Sequence, residues 1–208
     1  METAFLQGIM IGASLIIAVG AQNAFVLKQS IMRSHSLPIA LTCSVIDALM
    51  IAAGVAGLGS IIMAFPALKH AATFGGAAFL LWYGTNALKA SFNAKEMDLS
   101  KAKGAGSLKT ALMTTLAISF LNPHLYLDTV VLLGSISTQF SGEARQWFGA
   151  GAILASFIWF FSLSFGARLM APMFAKPAAW RYLDRFIFVT MYSIAIALLW
   201  PYAKALLQ

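Results

Sequence analysis

Six apolar runs, each too long for an ordinary strand, divide this chain almost from end to end. They cover about residues 4 to 27, 37 to 62, 71 to 89, 110 to 136, 147 to 170 and 186 to 203. A run of about 18 apolar residues or more can cross the hydrocarbon of a bilayer as a helix. The expected fold is an all-α integral membrane protein with six transmembrane helices. Composition points the same way: 60% of the residues are hydrophobic and 10% charged, against roughly 45 to 50% and 25% in a soluble domain. No soluble domain is left over, so the function is expected within or across the bilayer. The first run has only Glu2 as a charge before it and no basic leading region, so it reads as a first span and not as a signal peptide. The single cysteine, Cys43, excludes an intrachain disulfide.

The net charge of +7 is unevenly distributed. With six spans, the connections after the first, third and fifth share one side. They hold Lys28, Arg33, Lys89, Lys95, Lys101, Lys103, Lys109, Arg168, Lys176, Arg181 and Arg185, and the other side has Lys69, Arg145 and Lys204. The positive-inside rule makes the richer side cytoplasmic and puts both termini outside. The basic charge is thus a topology signal, and no nucleic-acid partner is expected.

The longest polar stretch, Ser91 to Lys109, has the charged, Ser- and Gly-containing composition of a solvated linker. It separates a first three-helix repeat, 1–90, from a second, 110–208, with 91–109 as a cytoplasmic linker. An odd number of spans per half inverts the second half relative to the first, the geometry of many secondary transporters. Ser44 and Gly54 share their ten-residue separation with Ser156 and Gly166. Polar interruptions also fall in both opening spans, GAQNAF at 20–25 and NPHLYLD at 122–128. Gly8, Gly12 and Gly20 form a small-residue stripe on the first span, suited to close helix packing within the chain or to a homodimer face.

Two carboxylates, Asp47 and Asp128, lie well inside apolar runs. Each costs on the order of 2.5 to 3.5 kcal/mol at a helix centre, and intramembrane acids are functional by default. Lys28, Lys89 and Arg168 fall at span ends, so the expected counter-charge is a proton, an inorganic cation or a cationic substrate. Pro123 removes a backbone donor and frees the Ser119 carbonyl, which opens the fourth span. Asn122 is placed to satisfy the broken turn. His124 lies four residues before Asp128 on one helical face, as a proton relay or an orienting group. Gln22 and Asn23 are a second polar pair, for bonds between helices or to substrate, and Gly20 before them relaxes the helix. Tyr83, Tyr126 and Trp159 are candidate cavity-lining aromatics, with Trp159 suited to lie over a guanidinium. Metal-ligand spacing, a phosphate-binding glycine loop and a nucleophile elbow are all missing, so no metal or other cofactor is expected.

GAQNAFVL (20–27), CSVIDAL (43–49), GGAAFLLWYG (75–84) and LNPHLYLDTVVLLGS (121–135) occur in that order. Together they resemble the lysine/arginine exporter family, LysE, and in particular its arginine-exporter branch. The resemblance extends over all six spans. It implies a bacterial inner-membrane exporter of basic amino acids, L-arginine or L-lysine with the preference between them left open, with Asp47 and Asp128 matching the family's two intramembrane acids. The family's first motif often reads G-P-Q-N; Ala21 replaces that proline here, which leaves Gly20 as the source of flexibility. Exchange of one cationic amino acid for one proton is electrically neutral, whereas moving one charge outward costs about 2.3 kcal/mol per 100 mV. Export of a neutral amino acid or a metal cation keeps the same fold. An intramembrane aspartyl protease also needs two acids, but the glycine pattern of that chemistry is missing around LYLDTV and VIDALM.

Overall fold

The computed structural model describes residues 1–17, 20–58, 66–92 and 106–206, and within them every regular element is helical. The helices are α1 Glu2–Ile16, α2 Ala21–Ile31, α3 Ser36–Val55, α4 Pro66–Phe92, α5 Leu108–Phe120, α6 Pro123–Ser137, α7 Glu143–Met170 and α8 Pro177–Leu206. Most of the linker expected at 91–109, with Lys95, Lys101 and Lys103, lies outside the described residues.

Of the described helices, α3, α7 and α8 are each long and apolar enough to cross a bilayer, and two bent pairs raise the number to five if each is one span. Six spans were expected. The difference is α4, whose 27 residues suffice in length, but whose apolar run is diluted by Thr73, Gly75, Gly76, Gly84, Thr85 and Asn86. Rows of large apolar side chains face outward, Leu41, Val45 and Leu49 on α3 and Ile158 and Phe165 on α7 among them. So much exposed apolar surface suits lipid and not water.

The two bends fall where polar residues interrupt apolar runs. Helices α1 and α2 meet at 81° and α5 and α6 at 63°. Gly20 caps α2 at φ −119°, a conformation open to any residue, so its missing side chain and not its backbone freedom distinguishes it. At the second bend the chain repairs what Pro123 breaks. Asn122 N–H donates to the Ser119 carbonyl at 3.2 Å, the Asn122 side chain accepts from His124 N–H at 3.1 Å, and the Tyr126 hydroxyl donates to the Phe120 carbonyl at 2.9 Å. A π-helical turn, Tyr126–Leu132, follows, of the kind often found at functional sites.

Packing is closest where glycines let backbones touch. Helix α1 lies along α7, where a Cβ on Gly8 would come within 2.0 Å of the Phe148 carbonyl oxygen and one on Gly151 within 2.1 Å of that of Phe5. The stripe of Gly8 and Gly12 is therefore occupied inside the chain. Helix α3 meets α6 at Gly54 and Gly134, where a Cβ on Gly134 would lie 2.7 Å from the Gly54 carbonyl oxygen. Gly166 faces open space, so it does not repeat the packing role of Gly54. Helix α4 runs along α8, with Thr85 and Tyr192 hydroxyls 2.8 Å apart.

Candidate functional site

Both bends open onto one cavity of about 260 Å³. Its wall includes Gly20, Gln22 and Asn23 from the first bend, Asp47 from α3, and Asn122, His124, Asp128 and Thr129 from the second. Phe160 of α7, Ile194 of α8, Leu15, Ile16, Leu125 and Leu133 supply apolar walls. Ligand cavities are commonly apolar with a few convergent polar groups, and this one fits that description.

Asp47 is 3% exposed. Its Oδ2 accepts from the Ser156 hydroxyl at 2.8 Å, while its Oδ1, buried as well, has no hydrogen-bond partner. Asp128 is half-buried, and no described lysine or arginine lines the cavity with it. His124, one turn earlier, shares this wall. Gln22 brings the complementary group, since its Nε2 is buried with only the weakly accepting Cys43 sulfur near it and no oxygen or nitrogen acceptor. Asn23 is held in place: its Nδ2 donates to the Ile16 carbonyl at 2.9 Å, and its Oδ1 accepts from Trp159 Nε1 at 3.1 Å. Buried polar atoms are almost always paired. An unpaired acceptor on Asp47 and an unpaired donor on Gln22 therefore mark a wall built for something else to complete.

The three candidate aromatics lie behind this wall and not in it. Trp159 orients Asn23, Tyr126 caps the broken turn, and Tyr83 packs edge-on against Phe25 with ring centroids 6.0 Å apart. Pro123 shapes the cavity from behind, packed near Gly76 of α4. Sequence reasoning did not single out Asp184, which pairs with Lys28 at 2.5 Å and joins α2 to α8. Nor did it assign Ser156 to Asp47; the matching position of Ser44 and Ser156 in the two halves was the only signal. Ser44 itself bonds back to the Ala40 carbonyl at 3.0 Å, so the two serines do different things.

Residues 13–201 match the family described as LysE type translocator. A protein of Pectobacterium carotovorum subsp. carotovorum named arginine exporter protein ArgO is 42% identical over 199 residues, covering 95% of this chain and 97% of its own. One of the same name from Klebsiella pneumoniae is 43% identical over 200 residues, covering 95% and 94%. Another, from Salmonella typhi, is 41% identical over 199 residues, again covering 95% and 94%. No solved structure matches the chain.

Proposed function

Because this chain belongs to the LysE-type translocator family and is therefore a transporter and not an enzyme, we propose that it exports L-arginine, with L-lysine as a second cargo, across the bacterial inner membrane. The observation that carries this reading is the set of incomplete groups in the cavity. Asp47 Oδ1 lacks a donor, Gln22 Nε2 lacks an oxygen or nitrogen acceptor, and Asp128 has no described lysine or arginine beside it in the wall. A basic amino acid supplies the complement to all three: a cationic side chain, an α-ammonium and a carboxylate. The name carried by the relatives supports arginine over a neutral cargo.

Outward movement of arginine runs against an inside-negative potential at about 2.3 kcal/mol per 100 mV, so export requires coupling. In this mechanism a proton and the cargo cation compete for Asp47 and Asp128, and His124 passes protons to or from Asp128. Gln22 reads the carboxylate, and Asn23 and Asn122 hold the edges of the two bends. The segments around Gly20 and Pro123 act as the flexible gates of an alternating-access cycle.

The same reading has six crossings, arranged as inverted halves 1–90 and 110–208 joined by a cytoplasmic linker at 91–109, with both termini outside. Helix pairing supports it. The first bent pair packs on α7 and the second on α3, α3 packs on α7, and α4 packs on α8, so each contact has a counterpart when the halves are exchanged. Modification of single cysteines at each terminus by a membrane-impermeant reagent tests this. Reaction of both from outside is expected; termini on opposite sides would mean five crossings.

Function is tested by counterflow of labelled L-arginine into proteoliposomes loaded with unlabelled arginine, lysine or threonine. Arginine and lysine should drive uptake and threonine should not. Asp47→Asn, which keeps the Ser156 contact and loses the charge, should lower counterflow at least a hundredfold. Normal transport by this variant would remove the acid from the exchange mechanism.

A further inference from the structure

A second cavity, of about 510 Å³, lies between the C-terminal end of α3 and the N-terminal end of α7. Helix α3 starts beside Arg33 and α7 ends at Arg168, so this cavity is at the end of both helices away from the basic side. Between it and the central cavity stands a small apolar cluster in which Ile51, Leu133 and Phe148 are fully buried. Leu133 belongs to the cluster and lines the central cavity. Val55 and Ile153 pack against the same cluster and line the second cavity. One layer of side chains thus borders both spaces.

We propose that the second cavity is the exit vestibule of the transport pathway, that Ile51, Leu133 and Phe148 form the gate behind it, and that Arg145 latches this gate. The inference rests on the export reading above. Arg145 lines the vestibule, and its Nε donates at 3.1 Å to the buried hydroxyl of Ser137. Ser137 lies one turn beyond Leu133 on α6, so swinging Leu133 out of the gate pulls on this bond. The surfaces that must slide carry little to interlock them. Gly134 of α6 abuts Gly54 of α3, and a Cβ on Gly149 of α7 would lie 3.0 Å from Val55 Cγ2. Helix faces of small residues approach closely and shift with few rotamer changes. The gate is apolar and the cargo is charged, so a closed gate holds back the cation through the cost of desolvating it.

Ala56 lines the vestibule and is exposed, so Ala56→Trp fills the space without burdening the core. Arginine exchange should fall at least tenfold, while the arginine concentration that raises thermal stability stays within twofold of wild type. Leu133→Ala should open a downhill leak of labelled arginine, with no counter-substrate, at least tenfold above wild type. Wild-type exchange by Ala56→Trp, or a folded Leu133→Ala without leak, would overturn the proposal. A third measurement needs no cargo: Ala56→Cys in a Cys43→Ala background should react with an impermeant thiol reagent from outside only. Reaction from the cytoplasmic side alone, or none, defeats the vestibule. If wild type shows neither arginine counterflow nor arginine-induced stabilisation, the export reading fails, and the thiol result still decides the vestibule.

Discussion

Lys28 and Asp184 provide the sharpest quantitative test of how the two halves hold together. Their charged atoms are 2.5 Å apart, and the side chains are only 18% and 6% exposed. Without its partner, each charge would be left in a poorly solvated site between α2 and α8. Removing one member of a buried pair costs about 3 to 5 kcal/mol. The residual exposure of Lys28 places Asp184→Asn and Lys28→Met at the lower end, about 3 kcal/mol each. In a chain of this length 1 kcal/mol moves the melting midpoint by about 2 to 4 °C, so each variant should melt roughly 6 to 12 °C lower. Replacing both with apolar residues removes the stranded charge, and such exchanges are often neutral or stabilising. Lys28→Met with Asp184→Leu should therefore return close to the wild-type midpoint. The assay is the monodisperse fraction of detergent-purified protein after heating, followed by size exclusion. Single variants that melt within about 2 °C of wild type, or a double variant as unstable as the sum of the singles, would refute the buried-pair reasoning.

Three further substitutions probe the second bend. A Cβ on Gly76 would lie 1.8 Å from the Leu121 carbonyl oxygen, whereas one on Gly75 meets nothing closer than 3.8 Å. Gly76→Ala should cost about 1 to 3 kcal/mol through overpacking and lower the maximal rate of arginine exchange, and Gly75→Ala should match wild type in both measurements. Tyr126→Phe leaves the Phe120 carbonyl without its side-chain donor and, because that bond is exposed, should cost about 0.5 to 1.5 kcal/mol in thermal unfolding. Because Tyr126 is outside the cavity wall, the KM for arginine should stay within twofold.

Polar side chains in apolar surroundings, and a glycine directly before them, are easy to see in a sequence. That is why Asp47, Asp128, Asn122, His124, Gln22, Asn23 and Gly20 could be named beforehand, and all seven line one cavity. The consequence of Pro123 was legible for the same reason, since a missing backbone donor has a fixed address. What Asp184 does was hidden, because it sits among Arg181 and Arg185 in a stretch that reads as interfacial, and its partner is 156 residues away. The aromatics were misleading in the opposite sense: a tyrosine or tryptophan near a site equally suits the wall and the support behind it, and only packing separates the two. The π-helical turn through Asp128 has no sequence mark beyond the proline before it. The count of spans differs at α4, where Gly76, Gly84 and Thr85 serve contacts with neighbouring helices at the expense of hydropathy.

The contact of Gly54 with Gly134 acts at a distance from any charge. Asp47 stands two turns before Gly54 on α3, and Asp128 stands six residues before Gly134 on α6. The backbones of these two helices touch at that point, with a Cβ on Gly54 only 2.6 Å from the Thr129 carbonyl oxygen. The two glycines therefore set how closely the helices that carry the two carboxylates approach each other. A single methyl group added there would push the two helices apart, so under the proposed mechanism the fit of a cargo reaching both acids could be retuned while every polar residue in the cavity stays as it is.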